Sequence, residues 1–495
     1  MPSLLEIAEH NTHDDCWVVI HGKAYDVTGF LDEHPGGSAI IMKFAGKDAT
    51  KKFDPIHPPD TLDKFLSPEC YMGEVEDEAE EEEEEELTEE ELARAEMVTR
   101  KPSLDAIYNL TDFEHVARHT MDPTAWAYYS SGSDDEITMR ENRNAYQRIF
   151  FRPRIMVDVS KIDMSTTMLG CKTSVPFYIT ATALGKLGHP DGETVLTRAA
   201  GKEGVIQMIP TLASCAFDEI VDAADGTQTQ WFQLYVNADR AVCRKLVEHA
   251  EARGVRGLFI TVDAPQLGRR EKDMRSKHFE ETTDVQQEEE EEEKIDRLQG
   301  AARAISSFID TSLSWKDVAW FRSITKMPIL LKGVQSVDDA LLAAEHGCDG
   351  IVLSNHGGRQ LEFAPSAIEI LTEVMPALRA RGVDTNKFQV YVDGGVRRGS
   401  DIIKAICLGA KGVGLGRLFL YAMSTYGEQG VRKAINILQD EIEMNMRLLG
   451  VTSIAQLSEK YVDVLGLKNG RGVPEDYLFR EVYQPMALPR FKSKL

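Results

Sequence analysis

Cysteine is scarce in this 495-residue chain. The seven present (Cys16, Cys70, Cys171, Cys215, Cys243, Cys348 and Cys407) are an odd number with no CxxC pair. That speaks against a disulfide framework or a zinc site and for a reducing compartment. Long apolar runs are missing too: no stretch approaches the roughly 20 residues that cross a bilayer. The N-terminus MPSLLEIAEHNTHDDCW lacks the basic, apolar and cleavage regions of a secretory signal. The expectation is a soluble, unsecreted protein with no membrane partner. Positive charge is the third shortage. Against 81 Asp and Glu stand 56 Lys and Arg, a net charge of −25. Nucleic acid is therefore excluded as a partner of the chain as a whole, because phosphate contacts need clustered Lys and Arg.

The negative charge is concentrated in places. EVEDEAEEEEEEELTEEE, from Glu74 to Glu91, separates two stretches of ordinary composition. It reads as a solvated linker extended by self-repulsion. Modules are expected at 1–76 and 101–480, with an acidic linker at 77–100 and a tail at 481–495. A second acidic run, six glutamates at 288–293, marks a surface loop in the larger module. Either run could also dock a basic partner. With 42% hydrophobic residues, a chain of this length supports more than one core.

In the first module, the strand-like CWVVI turns at His21-Gly22, continues as KAYDVT and breaks at HPGG, where Pro35 and two glycines flank His34. A second histidine, His57, follows in FDPIHPPD, again beside prolines. One histidine by itself is most often a surface or hydrogen-bonded imidazole. Two loop histidines facing each other across an apolar pocket can fill both axial positions of a haem iron. Such a haem has no position left for oxygen or substrate and carries electrons only. The segments DDCWVVI, YDVT, FLDEHPGG and AGKDAT resemble the cytochrome b5 family. That resemblance implies a small α+β fold holding haem b, with His34 and His57 as the axial iron ligands.

From residue 176 onward short apolar runs recur: PFYITATA, VIQMI, QWFQLYV, GLFITVDA, PILLKGV, GIVLSNHGG, QVYVDGGV and GVGLGR. Between them lie amphipathic stretches such as DRAVCRKLVEHAEARG and VDDALLAAEHG, apolar at helical spacing and ending in glycine. Eight such repeats predict an α/β TIM (β/α)8 barrel, whose active site sits at the C-terminal ends of its strands. His356 and Arg359 then emerge after the sixth strand, with Lys332 at the end of the fifth, Asp263 after the fourth and Tyr235 after the third. DGGVRRG and GLGR put glycines and arginines after strands seven and eight, where such barrels bind phosphate through backbone N–H groups. A phosphorylated cofactor is expected.

SNHGGRQ, at 354–360, resembles the active-site signature of the FMN-dependent 2-hydroxy-acid dehydrogenases and oxidases. With the haem module in front, nearly the whole chain resembles the cytochrome-linked branch of that family, the flavocytochromes b2. The resemblance implies FMN and a small 2-hydroxy-acid substrate. His356 would be the general base, with Asp263 holding its other ring nitrogen and stabilising the imidazolium. Arg359 offers the substrate carboxylate a planar fork. Tyr128 matches the residue that hydrogen-bonds that carboxylate, Tyr235 the one at the substrate hydroxyl, and Arg270 a second arginine near the substrate. Lys332 matches the lysine whose charge stabilises the reduced flavin.

The FMN-binding set carried over is Thr182, Ala183, Gln233, Thr261, Lys332, Asp393, Gly394, Gly395, Val396, Arg397, Gly416 and Arg417. One position departs: Pro210 stands where the family has serine, so one side-chain bond to the flavin is lost. Ala183 and Leu212 match positions on the methyl side of a lactate pocket and favour lactate over glycolate, by an amount of order ~1–3 kcal/mol. These residues fit removal of the substrate proton from either oxygen or carbon.

The expected reaction is oxidation of L-lactate to pyruvate, with electrons passing from FMN to haem b and on to cytochrome c or another one-electron acceptor. The alternative is a peroxisomal L-2-hydroxy-acid oxidase, for glycolate or lactate, that uses oxygen and produces hydrogen peroxide. A haem-binding carrier with an inert barrel is a third reading, opposed by the intact set of His356, Asp263, Arg359 and Lys332. Ser493, Lys494 and Leu495 form a peroxisomal address, with the mitochondrial intermembrane space or cytoplasm as alternatives. The resemblance also implies a homotetramer.

Overall fold

A computed structural model describes residues 1–31, 34, 38–54, 56–57, 61–75, 89–282 and 309–469. Outside the described residues lie Pro35 and its two glycines, residues 77–88 of the acidic linker and the glutamate run at 288–293. Residues 470–480 of the larger module and the tail with Ser493, Lys494 and Leu495 lie outside them as well.

The first module is built on a four-stranded antiparallel sheet, Asn11–Thr12, Asp15–Ile20, Lys23–Asp26 and Tyr71–Glu74, in that order. His21 and Gly22 take φ of 53° and 69°, the two left-handed residues of a hairpin turn whose twist suits the flanking strands. Alternation along Asp15–Ile20 sends Cys16, Val18 and Ile20 into one core, and Trp17 and Val19 into a smaller one with Ile7 and Ala24. The first core is closed by the segment containing the short helices Ser38–Met42, Thr50–Phe53 and Thr61–Phe65, through Ile41, Met42, Phe53 and Leu62.

The eight apolar runs form eight parallel strands: Phe177–Ile179, Ile206–Ile209, Gln230–Leu234, Leu258–Thr261, Ile329–Val334, Gly350–Leu353, Gln389–Asp393 and Gly412–Leu415. They close into a barrel with the eighth beside the first. Side chains of a barrel strand alternate between the interior and the surrounding helices. Tyr178, Trp231, Phe259, Leu330, Val352 and Tyr391 fill the interior floor, their rings meeting edge-on or tilted. Two residues further along the same strands come Thr180, Gln233, Thr261, Lys332, Ser354 and Asp393. Two further still come Thr182, Tyr235, Asp263, His356 and Gly395. Period-two geometry thus stacks an apolar floor, a polar middle layer and a reactive rim in one cylinder.

Among the described residues, three α-helices lie between residue 101 and the first barrel strand. Leu110–Thr120 starts from a capping box between Asn109 and Asp112. Pro123–Ser130 starts from an Asp122 cap with proline at its first position, and Ile137–Gln147 follows. The acidic linker placed at 77–100 is helical in its second half, and the run expected to be extended from Glu74 to Glu91 ends in the first turn of the α-helix Glu89–Arg100. Leu92, Ala93, Ala95 and Met97 are strong helix formers, and two arginines offset the carboxylates. Arg100 pairs with Glu96 one turn away at 2.8 Å, and Arg94 reaches the Asp122 cap at 3.4 Å.

Candidate active site and haem pocket

His356 leaves the sixth barrel strand with φ of 58°, a left-handed conformation costly for a residue with a side chain. Ser354 Oγ accepts a hydrogen bond from its backbone N–H at 3.0 Å. The ring is held at both nitrogens: Nδ1 lies 3.0 Å from Asp263 Oδ1 and Nε2 lies 3.3 Å from the Tyr235 hydroxyl. With Asp263 ionised, the ring proton belongs on Nδ1, and the Nε2 lone pair meets the Tyr235 hydroxyl. Burial holds the His356 pKa below the ordinary imidazole range, against the pull of Asp263 and with the help of the Lys332 charge. Asp263 is buried too, yet His356 and Lys332 keep it below the usual carboxylate range.

Lys332 reaches the cleft from a bulge. Strand register shifts between Lys332 and Val334, at Gly333, whose φ is 109°. A Cβ at Gly333 would lie 2.5 Å from the carboxyl carbon of Asp263, so the glycine makes room for the carboxylate. Lys332 Nζ lies 3.4 Å from Asp393 Oδ2 and 3.4 Å from Ser354 Oγ. Burial works against its charge, but Asp393 and Asp263 outweigh it and keep the pKa above the ordinary lysine value.

The arginines are oriented by main chain. Arg359 Nη1 donates to the carbonyls of Tyr128 at 2.7 Å and Ser131 at 3.0 Å. Arg417 donates to those of Tyr129 at 2.9 Å, Ser131 at 2.8 Å and Gly357 at 2.9 Å. Both cations therefore cap the C-terminal end of the helix Pro123–Ser130, where its carbonyls and dipole are negative. The Tyr128 ring lies 5.1 Å from the Arg359 guanidinium carbon. The Nε–Nη2 edge of Arg359 bonds no described residue, and Arg270, only 6% exposed, has an unpartnered Nε among the described residues. Burial and the Arg270 charge push Arg359 down to about 9, still cationic at neutral pH. The guanidiniums of Arg270, buried, and Arg359, partly buried, form no ion pair with a carboxylate among the described residues, and together they make a binding place for a small anion.

One cleft collects nearly all of the residues read from the sequence. Tyr128, Thr182, Ala183, Gln233, Tyr235, Thr261, Arg270, Lys332, His356 and Arg359 line it. So do Asp393, Gly394, Gly395, Val396, Arg397, Gly416 and Arg417, together with Pro210 and Leu212. Asp263 stands behind His356, outside the lining. The donor set suits FMN. At one end, glycine backbone after the last two strands leads into the helices Gly399–Cys407 and Arg417–Leu449, whose N-termini attract phosphate. In the middle, Gln233 Nε2 donates to Thr261 Oγ1 at 2.9 Å, and the buried Thr180 hydroxyl has no partner among the described residues. Pro210 supplies neither hydroxyl nor N–H. The neighbouring Thr211 hydroxyl is committed to the Gln233 carbonyl at 2.6 Å, so it does not replace the lost donor.

In the first module the rings of His34 and His57 lie 6.2 Å apart between centroids. Two imidazoles that each bind a shared metal at about 2 Å bring their centroids to about 6 Å, so the pair fits a haem iron. His57 Nδ1 lies 3.2 Å from the Phe53 carbonyl, and its ring stacks on Phe53. Nε2 is left as the metal-facing nitrogen. Burial lowers the His57 pKa to about 4, which keeps the imidazole neutral, as a ligand must be. No group of three or more His, Cys, Asp or Glu is placed to hold a metal among the described residues. A macrocycle supplying the equatorial ligands fits such a pair.

Sequence reasoning missed several residues. Ser354 serves both His356 and Lys332, and its place two residues before His356 on an inward face was a usable signal. Asn142 and Asn355 exchange two hydrogen bonds of 2.8 Å, and Asn355 Oδ1 also accepts from the N–H of Gly358 at 3.0 Å. Nothing in the local sequence announces that pairing. Thr180, Met139 and Leu267 also line the cleft.

The FMN-dependent dehydrogenase family matches residues 117–464, and the cytochrome b5-like heme/steroid binding domain matches residues 3–76. An L-lactate dehydrogenase (cytochrome) of Wickerhamomyces anomalus is 59% identical over 98% of this chain and 84% of its own length. The Saccharomyces cerevisiae protein of the same description is 52% identical over 99% of this chain and 84% of its own. A solved mutant of flavocytochrome b2 with pyruvate bound superposes with a TM-score of 0.72 at 53% identity, covering 82% of this chain and 99% of that one.

The depressed His356 pKa has a sign that can be checked. The free base acts when neutral, so the acid limb of kcat/KM for a hydroxy acid is expected below about 6.5, the ordinary imidazole value. Asp263→Asn removes the group that raises that pKa. The limb should therefore move lower still, with kcat down about 10²- to 10⁴-fold for lack of imidazolium stabilisation. Steady-state pH profiles of both proteins check this.

Proposed function

The chain belongs to the FMN-dependent dehydrogenases, joined to a cytochrome b5-like module, and on that premise we propose that it oxidises L-lactate to pyruvate and passes the electrons through haem to a cytochrome acceptor. The observation that carries this reading is the convergence of a neutral base and an anion clamp on one cleft. His356 Nε2 takes the substrate proton, and Asp263 holds the imidazolium that results. Arg359 and Arg270 hold the carboxylate, while Tyr128 and Tyr235 hydrogen-bond the substrate. When bound, FMN supplies the two-electron sink and haem a one-electron carrier. Lys332, kept charged by Asp393, stands where negative charge develops.

The substrate assignment is supported by Ala183 and Leu212, which leave the cleft wall small and apolar on one side. The fused haem module favours a one-electron acceptor, cytochrome c or an equivalent, over direct return of electrons to oxygen. Anaerobic stopped-flow mixing of holoprotein with L-lactate should bleach the flavin band first and then reduce the haem band, which added cytochrome c reoxidises. Flavin bleaching with a haem that stays oxidised, followed by fast reoxidation by oxygen, would instead establish the hydrogen peroxide-forming oxidase.

A homotetramer is proposed from the family resemblance and from apolar side chains left in solvent on the barrel module, with Ile155 at 87%, Met156 at 99% and Leu448 at 68% exposure. Sedimentation as a monomer at micromolar concentration would overturn it. A peroxisomal address is proposed from Ser493, Lys494 and Leu495. An N-terminal fluorescent fusion should lose its punctate pattern when those three residues are deleted, and an unchanged pattern would overturn this part.

A further inference from the structure

The reactive groups come from two loops that are not neighbours in the barrel. Asp263 and Arg270 belong to the loop after the fourth strand, His356 and Arg359 to the loop after the sixth, and the fifth strand runs between. The fourth and sixth strands share no hydrogen bonds, so contacts between the two loops bear on their spacing. Gln360 ends the SNHGGRQ run, is 6% exposed and does not line the cleft. Its Nε2 donates to the carbonyls of Asp263 at 2.8 Å and Gln266 at 2.9 Å, and its Oε1 accepts from the N–H of Gly268 at 3.1 Å. Both amide protons and a carbonyl lone pair are spent on the main chain of the opposite loop.

Close packing reinforces the bridge. A Cβ at Gly268 would lie 2.3 Å from the Arg359 carbonyl oxygen, so the two backbones touch there. The N–H groups of Ser133 and Asp134 then donate to one carbonyl of each loop, Gly358 at 2.8 Å and Arg269 at 2.8 Å. We infer that Gln360 is a positioning residue for the reaction: its carboxamide sets the spacing of Asp263 from His356 and of Arg270 from Arg359. Asp263 meets the imidazole through one oxygen only, and its other oxygen has no hydrogen-bond partner among the described residues. A small slip of the Asp263 backbone therefore acts directly on the base.

The inference rests on the reading of His356 as base and of the two arginines as carboxylate clamp. Gln360→Met keeps the length and bulk of the side chain and removes all three bonds. In holoprotein with unchanged flavin and haem bands, kcat for L-lactate should fall about 10²-fold, the cost of misplacing reacting groups by an ångström. KM should rise as the arginines part. The acid limb of kcat/KM should move to lower pH as Asp263 withdraws from His356, a readout that a purely structural role would leave in place. A Met variant with kcat, KM and acid limb all within twofold of the unaltered protein would overturn the inference. If the Met variant does not fold, Gln360→Asn decides, since it retains a buried amide one methylene short of its partners. A lowered kcat with a displaced limb supports the inference, and an unmoved limb overturns it. If L-lactate fails to bleach the flavin of the unaltered protein, the reading of the site is wrong and the role of Gln360 falls with it.

Discussion

A hydrogen bond between the partly buried His356 and the buried carboxylate of Asp263 sets the terms for the rest of the cleft. Removing a carboxylate from water costs several kcal/mol unless a partner compensates. Asp263 has one through His356 Nδ1 and a second, at longer range, in Lys332. Because Lys332 favours a negative Asp263 and disfavours a positive His356, the lysine biases the pair toward carboxylate and neutral imidazole. That is the protonation state a base needs. Asp393 in turn balances Lys332. Among the described residues Arg270, Arg359 and Arg417 have no carboxylate in an ion pair, and there an anion can supply what the protein does not. Mechanism and charge balance are here one arrangement, and the Gly333 bulge gives the carboxylate the volume it occupies.

How far this could be read from the chain depends on which atoms carry the contact. Strands of a closed parallel barrel are covered on both faces, so they stand out as short continuous apolar runs, and counting eight of them from residue 176 was enough for the architecture. Period-two alternation then put Tyr235, Asp263 and His356 at the rim, because each follows an inward residue by two. Contacts made by main chain left no such trace. The carbonyls of Tyr128, Tyr129 and Ser131 that hold Arg359 and Arg417 belong to a helix and its cap more than 200 residues away in sequence, and carbonyls look alike in every residue. The linker erred in the other direction. The weight of glutamate between 74 and 91 hid the helix formers from Leu92 onward, and one i,i+4 ion pair was easy to overlook.

The two modules solve opposite problems with the same residue type. In the barrel, His356 lies partly buried beside a carboxylate that will stabilise its charged form, so it can accept a proton. In the small module, the partly buried His57 stacks on Phe53, with its Nδ1 committed to a carbonyl and no carboxylate hydrogen-bonded to it among the described residues. Its pKa of about 4 keeps it a neutral donor to metal. One histidine is built to change charge and the other to refuse it.

The arginine cap on the helix Pro123–Ser130 bears on how this protein can drift over generations. A clamp held by side-chain carboxylates can be lost through a single codon change at either partner. Arg359 and Arg417 instead lean mainly on carbonyl oxygens that every amino acid possesses. Of the eight residues in that helix Ala125, Ala127, Tyr128, Tyr129 and Ser130 are buried, so substitution there is limited by packing rather than by the cap itself. Insertions or deletions between residues 123 and 131 would shift the carbonyls and be selected against.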